Sequence, residues 1–153
     1  MQYALPNFPC QFDIPDDWLD EAGFRGFRTT TPAFRSTVGA TLIPLAKIEP
    51  PRRLPSYPLD ACGFVRAKMV NVLKEIVCDV EIMPVPLVEL PELDVRLVGG
   101  PSPSYRCRTY DYRTMDGFHR FYASVAAGFE YLPADVTTVP ELVQFCRDNG
   151  WIA

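Results

Sequence analysis

At 153 residues the chain has the length of a single domain, enough to bury a hydrophobic core without disulfides or metals. Its 48% hydrophobic and 22% charged residues are ordinary globular composition, and no stretch reaches the ~18 consecutive apolar residues of a membrane span. A net charge of −4 argues against a general nucleic-acid binder, which needs a broad basic footprint.

The start, Met1-Gln2-Tyr3-Ala4-Leu5-Pro6, lacks the basic-then-apolar order of a secretory signal, so a cytoplasmic address is expected. Cys10, Cys62, Cys78, Cys107 and Cys146 are odd in number, widely spaced and free of a Cys-x-x-Cys pair. They read as free thiols, mostly buried, rather than a disulfide framework or a zinc site. With one histidine and no acidic cluster at ligand spacing, no metal site is expected.

In chain order, residues 1–36 read as an N-terminal extension packed on the core. Its arm, Phe8 to Arg35, holds a short helix in Ile14 to Gly23, with acids at its start and a glycine at its end. Trp18, Phe24 and Phe27 are expected to pin the arm to the body; the alternative is a surface for a protein partner. Val38 to Leu45 reads as a strand, followed by a turn that Pro50 and Pro51 impose. From Val65, apolar residues at Met69, Val72, Leu73 and Ile76 recur at helical spacing and leave Arg66, Lys68, Asn71 and Glu75 on the other faces. Asp60 is positioned to start this helix or to cap a preceding turn.

Val80 to Leu90 reads as a strand in which Pro84 and Pro86 remove backbone donors, which points to a sheet edge or a strand start. Leu93 to Val98 continues extended, Gly99 to Ser104 forms a surface loop, and Tyr105 to Met115 returns as a strand. Asp116 then opens a helix that runs to Ala127 and stops at Gly128, with Phe129 to Val136 extended after it. Thr138-Val139-Pro140-Glu141 matches a capping box, so Leu142 to Asn149 is expected to be a last helix ended by Gly150. This order predicts a mixed α/β (α+β) fold, with residues 37–153 as one domain built on a single sheet.

The candidate site is Asp116-Gly117-Phe118-His119-Arg120. It joins a strand to a helix, where unpaired N–H groups and the positive end of the helix dipole accept anions. Gly117 allows a phosphate close to the backbone, His119 and Arg120 supply polar and charged donors, and Asp116 is the expected N-cap. Asp116 is also placed to orient His119 or a metal-bound nucleotide. Arg106, Arg108, Arg113 and Arg120 fall in one short stretch, a locally positive run on an acidic protein; surface-lying side chains are the plainer reading.

The segment Asp116 to Gly128, followed by Leu132-Pro133-Ala134, resembles the signature of the ParB/sulfiredoxin fold: an Asp-Gly-x-His-Arg-like turn, an alanine-rich helix, a glycine and a Leu-Pro strand. The upstream order Leu42-Ile43-Pro44-Leu45, Arg53-Leu54-Pro55-Ser56, the Lys68 helix and Met83-Pro84-Val85 is similar too, so the likeness covers about Val38 to Val136. It implies a ParB/sulfiredoxin-type domain that binds ATP or another nucleotide, with magnesium as the companion ion. By matching positions it implies phosphate contacts from Gly117, Phe118, His119 and Arg120, with Lys68 and Asn71 reaching across and Arg52 or Arg53 adding another. There are three departures. Sulfiredoxin's cysteine directly before the histidine is Phe118 here, which argues against peroxiredoxin repair. Partition ParB proteins carry Glu-Arg-Arg where this chain has Phe118-His119-Arg120, and they add a helix-turn-helix domain. The fold's free-serine kinases place a glutamate where Arg52 and Arg53 stand, and Glu49 is out of register with it.

Three functions follow as expectations. One is a nucleotide hydrolase or ParB-like nuclease, with His119 as acid/base or phosphate ligand, Arg120 stabilising charge and Asp116 in support. The second is a non-catalytic module that senses a nucleotide or a protein partner. The third, DNA binding through the arginine strand, is the least compatible with the charge.

Overall fold

The computed structural model describes residues 1–7, 10–52, 63–90 and 110–152. The first element is a hairpin absent from the sequence-based expectation: β1 (Gln2–Ala4) pairs antiparallel with β2 (Gln11–Asp13), Tyr3 opposite Phe12. Their rings stack at 5.4 Å, the kind of cross-strand aromatic pair that holds a short ladder together. Helix α1 (Asp16–Glu21) carries Asp16 and Asp17 in its first turn and buries Trp18 and Leu19. Phe12, Ile14, Trp18, Leu19, Phe24 and Phe34 all belong to the main hydrophobic core, and Phe27 packs against it.

The larger sheet takes β3 (Thr41–Pro44), β4 (Ile48–Glu49), β5 (Val85–Glu89), β6 (Tyr112–Thr114) and β7 (Tyr131–Thr137), in the spatial order β3-β7-β5-β6-β4. It is mixed: β7 is antiparallel to β3 and parallel to β5, and β6 is antiparallel to β5 and parallel to β4. A 3-10 turn, Leu45–Lys47, carries the chain from one edge strand to the other. The strand expected over Val38 to Leu45 is shorter, since Val38 is fully exposed before it begins.

Strand β5 lies at the centre of the sheet, which overturns the edge placement and keeps the strand-start one. Pro86 is compatible with this because of where its missing N–H falls. Its carbonyl accepts from Met115 N–H at 2.9 Å, so its nitrogen faces β6 at the rung just past Thr114, where β6 has ended. Val85 and Leu87 alternate with Pro86 and are fully buried, so the central strand packs its inward face despite the proline.

Helix α2 (Arg66–Val77) buries Met69, Val70, Leu73 and Ile76. Helix α3 (Phe118–Ala127) buries Phe121, Tyr122, Ala123, Ser124 and Ala127, and Gly128 ends it at φ +81°. Helix α4 (Val139–Asp148) starts on the expected capping box: Thr138 N–H donates to Glu141 Oε2 at 2.9 Å, and Glu141 N–H donates to Thr138 Oγ1 at 3.4 Å. It buries none of its residues. The fold is thus a single mixed α/β domain with a C-terminal helix. Among the described residues no helix is long and apolar enough to cross a membrane. The described cysteines do not follow the expectation of buried thiols: Cys10 and Cys78 are exposed and Cys146 is partly so. Asp60, Cys62, Cys107 and the segments expected over Leu93 to Val98, Gly99 to Ser104 and Tyr105 to Thr109 lie outside the described residues.

Candidate functional site

The turn after β6 is shaped by Gly117, which is the N-cap of α3 in place of the expected Asp116. The reason is conformational. Gly117 sits at φ +83°, and a Cβ there would lie 2.8 Å from Val85 Cγ1 and 3.1 Å from an Arg120 guanidinium nitrogen. Asp116 stands one residue outside the helix and accepts the Gly117 N–H on Oδ1 at 2.7 Å. Glycine is therefore required here by the central strand, whatever binds nearby. The first-turn N–H groups of Phe118, His119 and Arg120 have no partner within the helix.

His119 is committed to the fold. Its Nε2 accepts the backbone N–H of Val65, the N-cap of α2, at 3.0 Å, so the side chain ties the start of one helix to the start of the other. Burial, reinforced by the nearby Lys68 charge, lowers its pKa from 6.5 to about 4. At neutral pH His119 is uncharged, and the nitrogen that a general base would use is occupied. Arg120 reaches toward the start of β5, where one guanidinium nitrogen donates to Met83 O at 2.9 Å and Pro84 O at 3.0 Å.

The cleft beside this turn has a volume of about 560 Å³ and is lined by Glu49, Pro50, Pro51, Arg52, Arg113, Thr114, Met115, Asp116 and Phe118. Strand register explains its charged side chains. Glu49 on β4 lies directly beside Arg113 on β6, and Arg113 Nε is 3.4 Å from Glu49 Oε2. Both are well exposed, so the pair stays available to a ligand and adds little to stability. The Pro50–Pro51 segment is fixed from below, because the buried Tyr122 hydroxyl donates to Pro51 O. Phe118 is half-buried, with its ring 5.5 Å from Phe64 and 5.1 Å from Tyr122.

Of the residues singled out from sequence, the cleft receives Asp116, Phe118, Arg52 and Arg113. His119 and Arg120 flank it without lining it. Lys68 is exposed on α2 and acts on His119 through its charge. Asn71 donates to Glu75 at 2.9 Å and lines a different hollow with Glu21, Arg66 and Lys74. Arg53, Arg106 and Arg108 lie outside the described residues. The Glu49–Arg113 pair is the feature that sequence reasoning does not find. Its members are 64 residues apart, and only the parallel β4–β6 pairing brings them together. Another hollow, about 240 Å³ between the Phe27 to Arg35 stretch and the end of α2, lies away from the turn. Among the described residues no group of three or more histidines, cysteines or carboxylates has the arrangement of a metal site.

No protein-family model, curated protein or solved structure matches this chain.

Proposed function

We propose that the chain is a cytoplasmic nucleotide-binding domain of ParB/sulfiredoxin-like type, acting as a sensing module and not as a His119-dependent catalyst. The observation that carries this reading is the cleft of about 560 Å³ in which Arg52 and Arg113 stand beside the start of α3 and the ring of Phe118. Its size suits a small phosphate-bearing ligand. Two guanidinium groups are the forks that phosphate oxygens accept from, and the adjacent helix start adds a positive field. Glu49 and Asp116 are the carboxylates among the described lining residues, enough for the one or two that a nucleotide-bound magnesium ion takes from a protein.

Three observations weigh against the other readings. Acid/base work by His119 needs a nitrogen that Val65 already occupies. DNA binding runs against the net charge of −4. A partner-binding role for the Phe8 to Arg35 arm loses its main anchors, because Trp18 and Phe24 are spent on the core.

The test is calorimetric titration of ATP, GTP and CTP, with and without magnesium, against wild type and an Arg52→Ala/Arg113→Ala double variant. Binding in the wild type, weakened at least about tenfold in the double variant and without turnover, supports the reading. No binding, or binding indifferent to both arginines, sinks it. Turnover that survives His119→Ala would replace sensing with catalysis by another group.

A further inference from the structure

Taking the phosphate-ligand reading as its premise, we infer that Phe118 is the stacking platform for a nucleobase, so that the cleft selects nucleoside phosphates over bare phosphate chains. Phe118 is the aromatic residue in the described lining of the cleft. Its setting is that of a fixed wall. The ring stands 5.5 Å from Phe64 at 49°, 5.1 Å from Tyr122 at 59°, and edge-on to His119 at 5.1 Å and 79°. Phe64 and Tyr122 are themselves buried, and His119 is tied to Val65, so three neighbours with fixed positions hold the ring in place. Phe118 keeps part of its surface exposed, and it lines the cleft.

A ring immobilised before binding loses little freedom when a ligand stacks on it, which makes the contact worth more than that of a mobile side chain. Met115, 60% exposed and part of the same lining, adds a polarisable, adaptable side chain next to that surface. The volume of about 560 Å³ also exceeds what a phosphate chain fills, leaving room for a planar base and its sugar. A stacking wall accepts any base, since every base has a π-face.

The test compares ATP, GTP and CTP with inorganic tripolyphosphate, titrated into wild type, Phe118→Leu and Phe118→Tyr. Leucine keeps the apolar bulk that the Phe64–Tyr122 cluster packs on and removes the π-face, while tyrosine keeps both; circular dichroism and melting confirm the folded state of each. Phe118→Leu is expected to weaken the tightest-binding nucleoside triphosphate about tenfold, the lower part of the usual range for base–aromatic stacking. Tripolyphosphate affinity stays unchanged and Phe118→Tyr binds like wild type. If leucine weakens both ligands equally or neither, Phe118 is a packing residue only and the inference falls while the phosphate site stands. Failure of the wild type to bind any of the four removes both together.

Discussion

Helices α3 and α4 are each ten residues long, and they are held in opposite ways. Helix α4 has the full capping box, a proline in its first turn and no buried residue; Phe145 is 53% exposed and its ring meets Trp151 at 5.5 Å. Helix α3 has no side-chain cap at all, yet five of its residues are buried and its start is wedged against Val85. Local hydrogen bonds define the start of one helix and tertiary packing that of the other. The difference also places the cleft: a helix start held by the central strand and by the start of α2 provides a fixed surface, which is what a pre-organised binding site needs.

The sharpest way to break this contrast is to truncate a matching aromatic on each helix. Phe121→Ala removes a fully buried ring and should cost about 3–5 kcal/mol, whereas Phe145→Ala on α4 should fall within about 0.5 kcal/mol of wild type in urea denaturation. Comparable losses at the two sites would mean that α4 is held by more than its cap. Gly117→Ala comes next. It combines a left-handed backbone with a Cβ pressed on Val85 and should cost about 3 kcal/mol, with Val85→Ala in the same chain recovering part of that. Full tolerance of alanine would show that the start of α3 can move off the sheet.

His119 sharpens the contrast through pH. Its folded pKa, about 4, lies below the unfolded 6.5, so the unfolded chain binds the proton more readily. The contribution is fully present above about pH 6.5 and is lost as the pH falls toward 4. His119→Gln keeps an acceptor for Val65 N–H without titrating. The melting temperature of wild type should therefore fall toward that of the variant, or below it, between these pH values; a constant gap would mean that His119 carries no linkage. A smaller effect is expected of Thr138→Ala, about 1 kcal/mol in urea denaturation, the usual cost of a lost N-cap side chain.

Several elements were legible because their signals are local. The periodicity of Met69, Leu73 and Ile76 marks α2, Gly128 stops α3, and the Thr138–Glu141 box starts α4, each through residues no more than four positions from the next. Pro84 and Pro86 left a sheet edge and a strand start both open, because a missing donor identifies a break in a ladder but not which neighbour lies on that side or where that neighbour ends. The β1–β2 hairpin escaped because three-residue strands carry too little alternation to stand out. At the site, the turn itself was readable from Asp116 to Arg120, but the partners of each side chain were not: Val65 for His119, Met83 and Pro84 for Arg120, and the Glu49–Arg113 pair in the cleft.

By itself the amino-acid sequence determined the mixed α/β class, the cores of its helices and the position of the turn, since capping, periodicity and backbone freedom act over a few residues. Only the tertiary structure decided that β5 is central, that Gly117 answers to Val85, that His119 is a neutral strut between two helices, and that Glu49, Arg52, Arg113 and Phe118 share one cleft. Each of these depends on strand order and register, which bring together groups far apart in the chain, and no local preference encodes that pairing.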